Sequence, residues 1–122
     1  VDNLSYLAGI IDGEGSISAT PRRCGNSLWY QQTIRVHMSV GNITDLLKKE
    51  FGGNTYHYVR NGKHEYIWQV WNKQARALAK KLEPYLFLKH EQARLLYTMF
   101  DEKNKDKRAK MEQKLKYLHT IM

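Results

Sequence analysis

The chain is poor in cysteine, in acidic residues and in long apolar stretches, and each shortage excludes a class of protein. Cys24 is the single cysteine, so no intrachain disulfide can form and a small secreted disulfide scaffold is excluded. A reducing, intracellular setting fits. No apolar run approaches the roughly 20 residues that a membrane-crossing helix needs. No basic segment followed by an apolar one opens the chain, so no signal peptide is expected. Low-complexity tracts and internal repeats are also missing. The 12 Asp and Glu stand against 20 Lys and Arg, for a formal charge of +8. That excess points to a polyanionic partner, nucleic acid first, over a basic protein with no such partner.

What is present is strongly patterned. Leu4, Leu7, Ala8 and Ile11 recur at helical spacing, with Asn3 or Ser5 as cap and Gly13 and Gly15 as stops. Residues 16–22 alternate, and Pro21 with residues 23–27 marks a turn. Residues 29–38 alternate more cleanly, with Ile34, Val36 and Met38 on one face and Trp29, Gln31, Thr33, Arg35 and His37 on the other. Ile43, Leu46, Leu47 and Phe51 predict a second helix ended by Gly52-Gly53. Residues 54–60 and 65–71 read as two more strands around Asn61-Gly62, a strong hairpin signal. Ala75, Leu78, Ala79 and Leu82 predict a third helix, capped by Asn72 and closed before Pro84. Ala93, Leu96, Tyr97 and Phe100 predict a fourth. After a charged turn over residues 101–107, Met111, Leu115 and Leu118 predict a last one.

The order is αββαββα with a C-terminal helical extension. One domain over residues 1–122 is expected, with a core of about 3–100 and an extension of about 101–122. Two hairpins make one four-stranded antiparallel sheet, and helices covering its apolar face make an α+β fold. The other face stays wet. Its residues are Ser18, Thr20 and Arg22, then Trp29, Gln31, Thr33, Arg35 and His37, then Tyr56, Tyr58 and Arg60, then Glu65, Ile67 and Gln69. Lys63 lies beside them. An ordinary solvated face usually mixes Lys and Glu. This one favours Arg, Gln, Tyr and His, which suits a DNA groove.

Ser5, Gly9 and Gly13 are four apart and share one stripe of the first helix. Small residues at that spacing let two helices approach closely. Glycine inside a soluble helix costs about 1 kcal/mol, so a close partner would explain its use. That partner is either the chain's own domain or the same helix in a second copy about a two-fold axis. Asp12 and Glu14 end the helix, against the macrodipole. They are either exposed acids in a glycine-rich turn or hard oxygen ligands for a cation such as Mg²⁺.

The segment Leu7-Ala8-Gly9-Ile10-Ile11-Asp12-Gly13-Glu14-Gly15 resembles the LAGLIDADG motif of homing endonucleases, and six of its nine positions match the consensus letter. Pro84-Tyr85-Leu86-Phe87-Leu88-Lys89 is similar to the stretch that carries a basic residue in that family. The likeness covers roughly residues 4–100.

The resemblance implies a homodimer with motif helices packed at the two-fold axis, through Ser5, Ala8, Gly9, Asp12 and Gly13. It implies Glu14 as the metal-binding catalytic acid, helped by the Gly13 carbonyl, with Asp12 more structural than catalytic. It implies Lys89 near the scissile phosphate, and Mg²⁺ as cofactor with Mn²⁺ as substitute. No small-molecule cofactor and no membrane are implied. The substrate would be double-stranded DNA under a saddle-shaped sheet, cut to leave short 3′ overhangs. A strand of about eight residues spans roughly 26 Å, or about eight base pairs. Two subunits would then cover a pseudo-palindrome of roughly 16 to 24 pairs.

Arg22, Arg35 and Arg60 can read guanine and Gln31 adenine; Glu65 can accept from cytosine. Trp29 and Ile67 suit thymine methyls, and Lys63 a phosphate. One departure concerns the residue that orders the attacking water. His37 and Ser39 are candidates, and His37 serves equally as a DNA contact. The resemblance fits a bacterial or phage-host cytoplasm or an organelle alike.

Two other readings compete. A non-cleaving maturase or regulator is disfavoured because Glu14 and Lys89 are both present. A calcium-stabilised structural domain is disfavoured because the loop is too short for an EF-hand.

Overall fold

The computed structural model describes residues 3–121. Its order is α1 (Asn3–Glu14), β1 (Gly15–Cys24), β2 (Ser27–Met38), α2 (Gly41–Phe51), β3 (Asn54–Arg60), β4 (Lys63–Trp71), α3 (Asn72–Leu82), a 3₁₀ turn (Glu83–Tyr85), α4 (His90–Asp101) and α5 (Lys105–Ile121). The strands form one antiparallel sheet in the order β1-β2-β4-β3. The α+β architecture expected from the pattern is the one observed. Among the described residues, no helix is long and apolar enough to cross a membrane.

The core forms where one face of the sheet meets the helices. Ile17, Ile34, Val36, Trp68 and Val70 from the strands are fully buried, with Leu7 and Ile11 of α1, Leu47 of α2, Leu82 of α3 and Leu96 of α4. Burying each side chain of this size contributes about 1.5–3 kcal/mol. Trp68 also donates its indole N–H to the Gly52 carbonyl at 2.7 Å, which anchors the end of α2 to the sheet. Leu115 joins the core from α5, which packs against β1 and α4.

Three local expectations are corrected. Helix α1 does not stop at Gly13 but runs to Glu14, and Gly15 makes the stop. A Cβ at Gly15 would sit 2.7 Å from the Ile11 Cα, so only glycine lets the helix turn directly into β1. The first hairpin turn is Gly25-Asn26, tighter than residues 23–27. Pro21 lies inside β1, which its position on the sheet edge permits. Asn72 does not cap its own helix. It adopts a φ of 51°, and its side-chain oxygen accepts from the Gln32 backbone N–H at 3.0 Å. The Asn61-Gly62 turn is as expected, with φ of 52° and 78°.

The 3₁₀ turn is pinned to α4. The Glu83 carboxylate accepts from the Tyr97 hydroxyl and from Arg94, at 2.9 Å from Nε and 2.7 Å from Nη2. The Tyr97 hydroxyl first, and Arg94 after it, hold the Glu83 carboxyl below its ordinary range against the opposing effect of burial. A group whose folded-state pKa is depressed stabilises the fold above its unfolded value and loses that contribution as pH falls through the folded one. Below about pH 4.3, wild type is therefore expected to lose stability more steeply than Glu83→Gln. Urea midpoints across the acid range check this, and superimposable acid limbs would contradict it.

Candidate active centre and nucleic-acid interface

The sharp turn at Gly15 places the end of α1 at one end of the sheet. Gly15 pairs with Val36, so Glu14 stands beside the last residues of β2. There a cleft of about 660 Å³ is lined by Glu14, His37, Met38, Ser39, Lys63, His64 and Glu65. Glu14 is exposed. It brings a hard oxygen donor to the same cleft as the two side chains considered for ordering water.

The negative end of α1 is balanced from within the chain. Lys89 is only 7% exposed. Its ammonium donates to the Ile11 carbonyl at 2.8 Å and to the Gly15 carbonyl. Burial lowers the Lys89 pKa, while the Asp12 and Glu14 carboxylates pull it back up. Lys89 is thus a cation held at a helix C-terminus, where the dipole favours it.

Asp12 fixes the segment that carries Lys89. Its carboxylate accepts from the backbone N–H groups of Phe87 at 2.7 Å, Leu88 at 3.2 Å and Lys89 at 3.0 Å. Losing an ionised acceptor shared by three donors costs about 1–3 kcal/mol. Asp12→Ala is expected to lower stability by that amount and to speed amide exchange at Phe87, Leu88 and Lys89. Unchanged exchange at those amides would contradict the role.

The residues expected at the dimer interface divide in two. Ala8 is fully buried in the chain's own core, so its expected place at a dimer interface is corrected: its methyl has no surface to offer. Asp12 also spends its carboxylate within the chain. Ser5, Gly9 and Gly13 are exposed, and a Cβ built at Gly9 or Gly13 would meet nothing within 4 Å. Their missing side chains are therefore not explained by intrachain packing. Tyr6 is 42% exposed, and Phe87, next to the Asp12 anchor, is 85% exposed.

The wet face gathers the expected polar residues. Ser18, Thr20, Arg22, Gln31, Thr33, Arg35 and Gln69 line one concavity of about 360 Å³. Ser16 and Trp71 line it as well. Trp71 was legible, because it follows Gln69 by two residues along β4. Two cross-strand pairs hold long side chains in place, with Arg22 Nε donating to Gln31 at 3.0 Å and Arg35 Nε to Gln69 at 3.1 Å. Trp29 pairs with Arg22 at the outer end, away from Glu14. Tyr56 and Ile67 pair across β3 and β4, as do Tyr58 and Glu65, and Arg60 and Lys63.

Glu65 is a hub. His37 approaches its carboxylate at 3.6 Å and Arg60 at 3.9 Å. A hydrogen bond to Glu65 is the main reason that the Tyr58 phenol is raised above its ordinary range. The carboxylate assigned to cytosine in the sequence thus lies among three neighbours on the same face, with its Oε2 buried and without a hydrogen-bond partner.

Comparison with known proteins follows the same lines. A family model described as LAGLIDADG endonuclease matches residues 7–106. A search of curated proteins finds no significant match. Among solved structures, the homing endonuclease I-CvuI in complex with its target, in the presence of 2 mM Ca, superposes with a TM-score of 0.77 at 23% identity, over 94% of this chain and 80% of that one. The archaeal intron-encoded homing endonuclease I-Vdi141I, complexed with DNA, gives 0.77 at 14% identity, over 94% and 82%. The LAGLIDADG homing endonuclease I-GzeII, in complex with a DNA target, gives 0.65 at 16% identity, over 95% of this chain but 43% of the longer one. These likenesses share the fold.

Proposed function

The chain belongs to the LAGLIDADG endonuclease family, and from that premise we propose that two copies of it form a divalent-metal-dependent endonuclease acting on double-stranded DNA. The observation that carries this reading is the placement of Glu14. Its exposed carboxylate ends a helix whose Gly9 and Gly13 face is open, at the edge of a polar, arginine-bearing sheet face. One open stripe and one acid per chain make half of a two-fold centre.

The donor set fits a hard divalent ion. Glu14 offers carboxylate oxygens. Gly13 lies in the last turn of α1, where carbonyls have no intrahelical donor. Among the described residues, no three His, Cys, Asp or Glu side chains of one chain converge as a metal site. Remaining ligands would come from a second Glu14, DNA phosphate or water, as Mg²⁺ prefers. Mn²⁺ is the expected substitute. When bound there, the ion supplies a more acidic water and neutralises charge on the phosphate.

The chain's own residues do the rest. Lys89 adds fixed positive charge beside Glu14 as negative charge builds on the phosphate. His37 and Ser39 line the Glu14 cleft and are available to hold a water there. Arg22, Gln31, Arg35 and Gln69 present preoriented hydrogen-bonding edges to the major groove. Cutting both strands needs two such centres, which a dimer supplies; short 3′ overhangs are the expected product.

Glu65 sets specificity indirectly in this reading. Glu65→Gln frees His37, Arg60 and Tyr58 and is expected to relax discrimination by about 1–3 kcal/mol at the base pair they face. Site selection from a randomised duplex pool checks this, and an unchanged preference there would return Glu65 to direct reading. The function itself is tested by incubating a randomised duplex library with Mg²⁺ or Mn²⁺ and sequencing the cut ends. Pseudo-palindromic sites cut on both strands support the proposal. Binding without cutting in either metal would favour a regulator or maturase.

A further inference from the structure

At the end of the sheet far from Glu14, β2 runs past its neighbour. Its pairing with β4 covers only Thr33–Met38, so residues 27–32 have β1 on one side and no strand on the other. A cavity of about 300 Å³ occupies that free side, and its walls include Trp29, Tyr30, Gln32, Arg76, Phe100 and Arg108. None of the residues assigned to the cleavage centre lies in it.

Two arginines, Arg76 and Arg108, line this cavity. Arg76 donates from Nη1 to Gln32 Oε1 at 2.8 Å and lies 3.6 Å from the centroid of the Phe100 ring. Gln32 is 2% exposed, and its amide is fixed in turn on the Leu96 carbonyl. Arg76 is therefore clamped by its edge and its face, with donors to spare. Burial depresses its pKa, partly offset by Asp101 at longer range. The Nε of Arg108 is buried with no hydrogen-bond partner. Among the described residues, neither guanidinium has a carboxylate within ion-pairing distance.

Two cations lining one cavity with no carboxylate paired to either, and a buried donor left orphaned on one of them, are costly unless an anion completes them. A guanidinium fork matches phosphate oxygens in pairs. We propose that this cavity is a phosphate-binding site, separate from the Glu14 centre, that takes either a backbone phosphate of DNA running beyond the sheet or a free phosphate group. The backbone source is favoured by Trp29, which belongs both to the cavity wall and to the DNA-facing surface. Residues 29 and 36 of β2 lie seven apart, or roughly 23 Å, which puts the cavity near the outer edge of the half-site. That source rests on the proposed function; the phosphate site itself does not.

The test uses the full chain with inorganic phosphate and with DNA. The Nε–Hε resonances of Arg76 and Arg108 are followed during a phosphate titration, in wild type, Arg108→Gln and Arg108→Lys. Affinities are then measured over a salt series for duplexes trimmed at the sheet's end and for duplexes extended past it. Phosphate is expected to shift both arginines, and Arg108→Gln to weaken phosphate at least about tenfold, with Arg108→Lys in between. On extended duplexes Arg108→Gln is expected to bind about tenfold more weakly, with a salt slope lower by about one. Trimmed duplexes should not distinguish the proteins. Phosphate shifts without any effect of duplex length, or without DNA binding at all, support the site with free phosphate as its source. No shift in either arginine, with wild-type affinity of Arg108→Gln for both duplexes, would overturn the proposal.

Discussion

Glu14→Gln is expected to leave duplex binding nearly unchanged and to lower double-strand cleavage by on the order of 10³-fold or more. The substitution keeps size and shape and removes one charge from an exposed position, so the fold has little to lose. The charge proposed to hold the metal is what disappears. Charge stabilisation of a phosphoryl transition state by a bound ion is worth several kcal/mol, and each 1.36 kcal/mol is about tenfold in rate. The Glu14 carboxylate, after Asp12, also raises the Lys89 pKa against the lowering effect of burial, so the variant removes part of that support. Single-turnover cleavage and equilibrium binding on a selected duplex separate the two effects. Loss of binding in step with cleavage would mean that Glu14 is a structural or DNA-contacting acid. Cleavage at the wild-type rate would remove Glu14 from the chemistry altogether.

The second large effect concerns the open stripe. Gly9→Leu is expected to abolish dimerisation while leaving each chain folded. Within one chain the new side chain enters open space, and leucine favours helix over glycine by roughly 1 kcal/mol. Against a second helix at close approach the same side chain has no room. The two half-sites on a duplex would then be bound separately, and losing that linkage costs on the order of 10²–10⁴-fold in affinity. Sedimentation of the free protein, with thermal unfolding as the control for folding, reads both parts. A Gly9→Leu protein that remained dimeric, with full affinity, would place the interface elsewhere, the exposed Phe87 region being the first alternative.

The elements that the sequence made legible are those whose signals are local. The two-residue period of β2 separated Ile34 and Val36 from Arg35 and His37, and their burial follows that division. Asn61-Gly62 and Gly52-Gly53 announced their turns because positive φ is demanded at those points. Glu14 and Lys89 were both named from motifs; the helix-to-strand turn places Glu14, whereas Lys89 is brought to the end of α1 by the Asp12 carboxylate and the α1 carbonyls far from it in sequence.

What was not legible depends on residues far apart in the chain. Gln32 sits on the inner face of β2 and is buried because Asn72, Arg76 and Leu96, 40 to 64 positions away, satisfy it. Nothing in its immediate sequence marks it off from the neighbouring Gln31 on the wet face. Asn72 read as a helix cap for the same reason, since its acceptor role toward β2 appears only once the sheet is assembled. Ala8 is small like Gly9 beside it, but it lies on the apolar face with Leu4, Leu7 and Ile11. Only the position of the sheet decides that its side of α1 is the core and that the Gly9 side is free. Glu65 was assigned to cytosine from its place on the wet face, and the approach of His37 and Arg60 to its carboxylate appears only once the strands are paired.

The central claim is that this chain is half of a cutting enzyme, assembled around two copies of Glu14. Native mass spectrometry of the chain on a selected duplex, before and after Mg²⁺ is added, tests it most directly. The account predicts two chains per duplex before the metal and two double-strand products after it. One chain per duplex, or a duplex that stays intact in both Mg²⁺ and Mn²⁺, would contradict it.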